Sequence, residues 1–183
     1  MKRLIITVIW LSFAGLCMAQ DSSGEIQGFF QRIQNFDYNT GSESLNITGA
    51  NPNGGGFGFV YNITDTFGLF QRTGFSAGVN QGGNKMNLVT EAQGIRLKKD
   101  TGSVMFYGVG GVGFNRFVYN DYAGYYGMAF LIGGGLQVPM MEGLNLLFEA
   151  TNMSMRLPNI TGLPNRSGWD NALMFSIGAA IHF

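Results

Sequence analysis

The run with the most chemical promise is Gly108-Val109-Gly110-Gly111-Val112-Gly113, which matches the G-x-G-x-x-G spacing that lets a backbone approach a pyrophosphate. That chemistry needs a strand, a turn and then a helix whose amino terminus meets the phosphates, with an acid about 20 residues further on. Here Phe114 to Tyr119 continues a strand pattern and the next acid, Asp121, falls in a polar loop. The glycines therefore read as strand positions that let a sheet bend tightly and leave room for bulky neighbours. A hydrolytic site would need a histidine base beside a serine nucleophile. The only histidine is His182, inside a terminal strand pattern, and the only cysteine is Cys17. That inventory supplies no metal or redox set. Asp121 and Asp170 are isolated carboxylates in expected loops, so no catalytic residue, metal or cofactor is expected.

What positions the remaining polar groups begins at the amino terminus. Lys2 and Arg3 precede an apolar run from Leu4 to Leu16, and Cys17-Met18-Ala19 precedes Gln20. This is the three-part pattern of a secretory signal peptide, too short to span a bilayer, with cleavage expected after Ala19. The expected organisation is a signal at 1–19 and one domain over 20–183. Removing Lys2 and Arg3 leaves 11 − 2 = 9 basic residues against 11 acidic ones, a formal charge of −2 with no suggestion of a nucleic-acid partner. Cys17 leaves with the signal, so no disulfide is expected in the exported chain.

Charged residues make up only 12% of the chain and aromatic residues 14%, with 29 glycines. Soluble domains usually carry about twice that charge, yet beyond the signal no apolar run is long enough for a membrane helix. A chain too uncharged for water and too interrupted for spanning helices fits strands with one face in lipid and one in a lumen. About eight alternating segments follow: Glu25–Tyr38, Gly55–Ile63, Phe67–Val79, Lys85–Lys98, Ser103–Tyr119, Tyr125–Val138, one from Leu144, and Leu173–Phe183. The last sets Leu173, Phe175, Ile177, Ala179, Ile181 and Phe183 on one face, as a period of two requires. The connections at Asp65, Asp100 and Met141 are short, whereas those over 39–54 and 156–170 are long. Short turns at one end and long loops at the other are a barrel pattern, and Phe114, Phe117, Tyr119, Tyr122, Tyr125 and Tyr126 read as an aromatic girdle.

These features predict an all-β protein, a closed antiparallel transmembrane barrel of about eight strands. Y-N-I-T at Tyr61 to Thr64, L-I-G-G-G-L-Q-V at Leu131 to Val138 and the final S-I-G-A-A-I-H-F make the chain resemble the small outer-membrane β-barrel proteins of the OmpA/OmpX-like superfamily. The resemblance implies a Gram-negative outer membrane with both termini periplasmic and a monomer among lipid and lipopolysaccharide. It also implies an assembly signal in the terminal strand, with Phe175, Ile181 and above all Phe183 read by the barrel assembly machinery. The function expected is structural or surface-interacting and not enzymatic. A narrow channel for small solutes is the alternative, and a lipid A-modifying enzyme is disfavoured because His182 falls at the wrong end.

The lumen decides between a plug and a channel. Roughly eight strands enclose a space that side chains can fill, and the alternation sends Arg72, Glu91, Gln93, Gln137 and Glu149 inward. Ionised groups away from water need partners. Arg72 is therefore expected to lie against Glu91 or Glu149 and close the interior.

Overall fold

The computed structural model describes residues 23–34, 36–38, 47–79, 83, 85–119, 125–156 and 169–183. The signal segment with Cys17, Asp121, Tyr122 and loop residues 157–168 lie outside that set. Ten strands follow in chain order: β1 Gly24–Gln34, β2 Phe36–Tyr38, β3 Ile47–Ala50, β4 Asn53–Asn62, β5 Phe67–Val79, β6 Lys85–Asp100, β7 Met105–Tyr119, β8 Tyr125–Met141, β9 Leu144–Arg156 and β10 Asp170–His182. Eight of them close a barrel in the order β1-β10-β9-β8-β7-β6-β5-β4, every pair antiparallel.

The short pair β2-β3 forms a separate two-stranded sheet. This differs from the single first segment Glu25–Tyr38 and the unbroken loop over 39–54 that the alternation predicts: the barrel strand ends at Gln34, and Phe36–Tyr38 pairs instead with Ile47–Ala50.

Register fixes the tilt. From Arg32 the paired positions run one way through Asn53 and Ala77 to Asn87, and the other way through Phe175, Ala150, Gly134 and Gly108 to Leu97. The two paths meet on β6 at positions separated by 97 − 87 = 10 residues. A stagger of that size tilts eight strands by roughly 40° from the barrel axis. Strands β4 and β5, β6 and β7, and β8 and β9 join through short turns at the end that carries Gly24 and Phe183. Gly102 and Gly143, with φ of 83° and 74°, supply the left-handed backbone in two of these turns.

Alternation sorts the side chains. Phe30, Phe57, Phe75, Ile95, Val112, Phe114, Phe130, Ile132, Phe175 and Ile177 face outward, each about half exposed or more. An apolar surface of that extent around a closed sheet suits hydrocarbon, not water. The inward register is packed. Phe70 lies where a side chain on Gly111 would meet its ring at 2.9 Å, and the Tyr107 hydroxyl lies 2.5 Å from where a Cβ on Gly135 would stand. The glycines of the rejected nucleotide motif thus sit inside strand β7, and Gly111 leaves space for a large inward aromatic. Phe117 also points inward and is buried, so it does not belong to an outer aromatic girdle; Phe114 and Tyr126 do face outward.

Candidate functional site in the lumen

Two ion-paired layers cross the lumen. Nearer the end that carries Gly24 and Phe183, Arg96 on β6 donates from Nη1 and Nη2 to the two carboxylate oxygens of Glu25 on β1, at 2.9 and 2.7 Å. Both side chains are essentially inaccessible, at 1% and 0% exposure. Around them, Gln137 Nε2 donates to Glu25 Oε1 at 2.6 Å, Gln27 donates to the same oxygen, and Arg96 Nη2 reaches Asn62 Oδ1 at 3.4 Å. Asn145 extends the network, donating to Gln137 Oε1 at 3.1 Å and lying 2.9 Å from His182 Nε2. The Tyr107 ring lies under the Arg96 guanidinium, 5.4 Å from its centroid.

Deeper in the barrel, Arg72 on β5 makes a two-pronged contact with Glu149 on β9. Its Nη2 donates to Oε2 at 2.7 Å, its Nη1 bonds Oε1, and the Tyr107 hydroxyl donates to Oε2 at 3.0 Å. The guanidinium also lies over the rings of Phe70 and Phe29, at 5.2 and 5.7 Å. Parallel N–H···O bonds from a planar guanidinium to a carboxylate are among the strongest side-chain pairings, and apolar rings on its faces strengthen them by excluding water. Beyond this layer apolar side chains predominate, with Ile33, Met86, Leu88, Phe117, Met153 and Met155 each no more than 1% exposed, and Gln31, Ser76, Thr90 and Asn115 are buried beside them.

The five polar residues expected inside divide three to two. Arg72, Gln137 and Glu149 are buried in the lumen, and Arg72 meets Glu149, one of its two expected partners. Glu91 and Gln93 are exposed on the outer face of β6, so their expected place inside is corrected. Met86, Leu88, Thr90 and Ala92 occupy the inward register of that strand instead. The physical reason is that Met86, Leu88 and Ala92 join a buried apolar cluster with Ile33, Phe117, Met153 and Met155, so the greasier face of β6 is the inner one.

Sequence reasoning missed Glu25, Arg96 and Tyr107. Arg96 shares the register of Met86 and Leu88, and once that face is assigned inward the arginine must follow. His182 is part of the network at the Gly24 and Phe183 end, with Nδ1 3.8 Å from Glu25 Oε2. Among the described residues no cluster of His, Cys, Asp and Glu has the make-up of a metal site.

Phe175, Ile181 and Phe183 all face outward. Phe183 also closes the seam: its N–H donates to Gly24 O at 3.1 Å and its carbonyl accepts from Gly24 N at 2.8 Å, while its ring packs 6.1 Å from that of Phe59.

No family model matches the sequence, and no curated protein matches it. Solved structures do. Neisserial surface protein A aligns with a TM-score of 0.62 at 12% identity, over 90% of this chain and 98% of that one. OprG of Pseudomonas aeruginosa aligns at 0.56 and 16%, over 88% and 96%. The chain has the fold of the small outer-membrane β-barrels. Ail, the attachment invasion locus protein of Yersinia pestis, aligns at 0.52 and 15%, over 88% and 97%. These neighbours are small eight-stranded outer-membrane barrels of the OmpA/OmpX-like kind. At such identities the likeness is one of fold.

Proposed function

We propose that this protein is a non-enzymatic outer-membrane barrel of a Gram-negative bacterium, with a closed lumen and a structural or surface-interaction role carried by the loops opposite its termini. The observation that carries this reading is the pair of buried Arg–Glu contacts, Arg96–Glu25 and Arg72–Glu149, stacked across the interior with closely packed, mainly apolar side chains above them. A solute would have to separate both pairs and leave charges unpartnered in a water-poor space, which is costly. Short turns at the Gly24 and Phe183 end and longer connections at the other support periplasmic termini. His182 is engaged with Asn145 and lies 3.8 Å from Glu25, as part of the buried polar network. Lipid and lipopolysaccharide surround the barrel in this reading, and the assembly machinery engages the terminal strand at Phe183.

The experiment is sugar flux into proteoliposomes together with cell fractionation. The reading expects outer-membrane recovery and swelling no faster than in empty liposomes. Swelling that tracks protein content and solute size would instead favour the narrow channel.

A further inference from the structure

Glu91 and Gln93, expected inside, belong to an anomaly on the outer wall. On the outer face of β5 and β6, Gln71 pairs with Gln93 and Thr73 with Glu91, a two-by-two block of polar side chains. It is enclosed on every side by residues suited to lipid. Phe59 and Phe57 flank it on β4, Val112 and Phe114 on β7, Leu69 and Ile95 toward the Gly24 and Phe183 end, and Phe75 and Val89 toward the far end. Glu91 and Gln93 are exposed and Gln71 is partly exposed, and none of the three has a hydrogen bond or ion pair among the described residues, while Thr73 is covered by its neighbours at 7% exposure. Hydrocarbon offers amides and a carboxyl group nothing to bond, so polar side chains within such a belt are expected to meet another protein surface.

We infer that this face is a contact between two copies of the chain. The accessible part of the block holds donors in the amide groups of Gln71 and Gln93, and acceptors in Glu91 and the amide oxygens, so it is complementary to itself. Two barrels related by a two-fold axis along the membrane normal bring the same rows to the same depth, where residue i of one copy meets residue j of the other and the reverse. The block contains no cation, which leaves an anionic lipid headgroup without its natural partner. Beside it on β7, Gly110 has nothing within 4 Å of where a Cβ would stand, and Gly108 nothing nearer than 3.8 Å, so a second barrel wall can approach closely. The inference departs from the expectation of a monomer.

The test is resonance energy transfer in lipid bilayers over a series of protein-to-lipid ratios. Fluorophores are carried at Asp65→Cys in the exposed β4-β5 turn, in a Cys17→Ser background. Wild-type transfer should exceed that of randomly placed barrels and fall on dilution. Gln71→Leu with Gln93→Leu, which suits the membrane face of a lone barrel, should shift the dilution midpoint by about tenfold or more. Gly110→Trp should act likewise by holding the walls apart, while Ile177→Trp on β10 should leave the midpoint unchanged. Folded gel mobility, scored in parallel, separates lost association from lost barrel. Transfer at the random level for the wild type would overturn the inference. So would a midpoint indifferent to both the paired leucines and Gly110→Trp.

Discussion

Replacing Glu149 by leucine probes the closed lumen most sharply, because it removes one charge and leaves its partner in place. Arg72 is 7% exposed and Glu149 5%, and the guanidinium is held between the Phe70 and Phe29 rings, so water cannot readily take over the lost carboxylate. Breaking a buried pair from one side costs about 3–5 kcal/mol. The Tyr107 hydroxyl, which donates to Glu149 at 3.0 Å, loses its acceptor as well, and this puts the expectation toward the upper part of that range. Arg72→Met combined with Glu149→Leu removes both charges and should recover most of the loss, giving a non-additivity of about 2 kcal/mol or more. Urea unfolding in lipid or detergent reads this out, through the fluorescence of Trp169, whose ring lies tilted 5.2 Å from that of Phe130, and through the mobility difference between heated and unheated samples. A loss below about 1 kcal/mol for Glu149→Leu, or additive single changes, would mean that the pair is solvated and the lumen wet. That result would refute the plug reasoning.

Deleting Phe183 removes the seam bonds to Gly24 and the terminal aromatic together; assembly in cells should suffer more than refolding of purified protein in detergent, and equal loss in both would reduce Phe183 to packing. Gly111→Ala should destabilise the barrel by about 1–3 kcal/mol, since its Cβ would stand 2.6 Å from the Gln93 carbonyl oxygen and 2.9 Å from Phe70. Gly110→Ala, one residue away and facing open space, should cost nothing measurable in the same unfolding assay. Amino-terminal sequencing of the outer-membrane form should begin at Gln20, and a chain that began at Met1 in an inner-membrane fraction would contradict export with cleavage.

The fold was legible because most outer faces are apolar without a break. Phe57, Phe59 and Tyr61 on β4, Leu144, Leu146 and Phe148 on β9, and Phe175, Ile177 and Ile181 on β10 assign themselves by period alone. Strand β6 was not legible in this way. Its inner residues Met86, Leu88 and Ala92 fill an apolar stretch of lumen and its outer face carries Glu91 and Gln93, so hydropathy points each face the wrong way. Strand β1 hid Glu25 for a related reason, since its inward set mixes Glu25, Gln27 and Gln31 with Phe29 and Ile33. The β2-β3 pair was lost because seven residues in two short pieces, 36–38 and 47–50, carry too little alternation to stand out from polar loop composition. Partner choice across the lumen depends on register summed around the barrel, and spacing along the chain does not encode it. The proximity of Arg72 to Glu149 and of Arg96 to Glu25 appears only once the eight strands close with their stagger of ten.

Single-channel recording in planar bilayers tests the closed lumen most directly. With both Arg–Glu layers intact, the unmutated protein should show no stable conductance, and Arg72→Ala should lower stability without opening a steady pore. Reproducible single-channel steps from the unmutated barrel would contradict the account and make a narrow solute channel the better description.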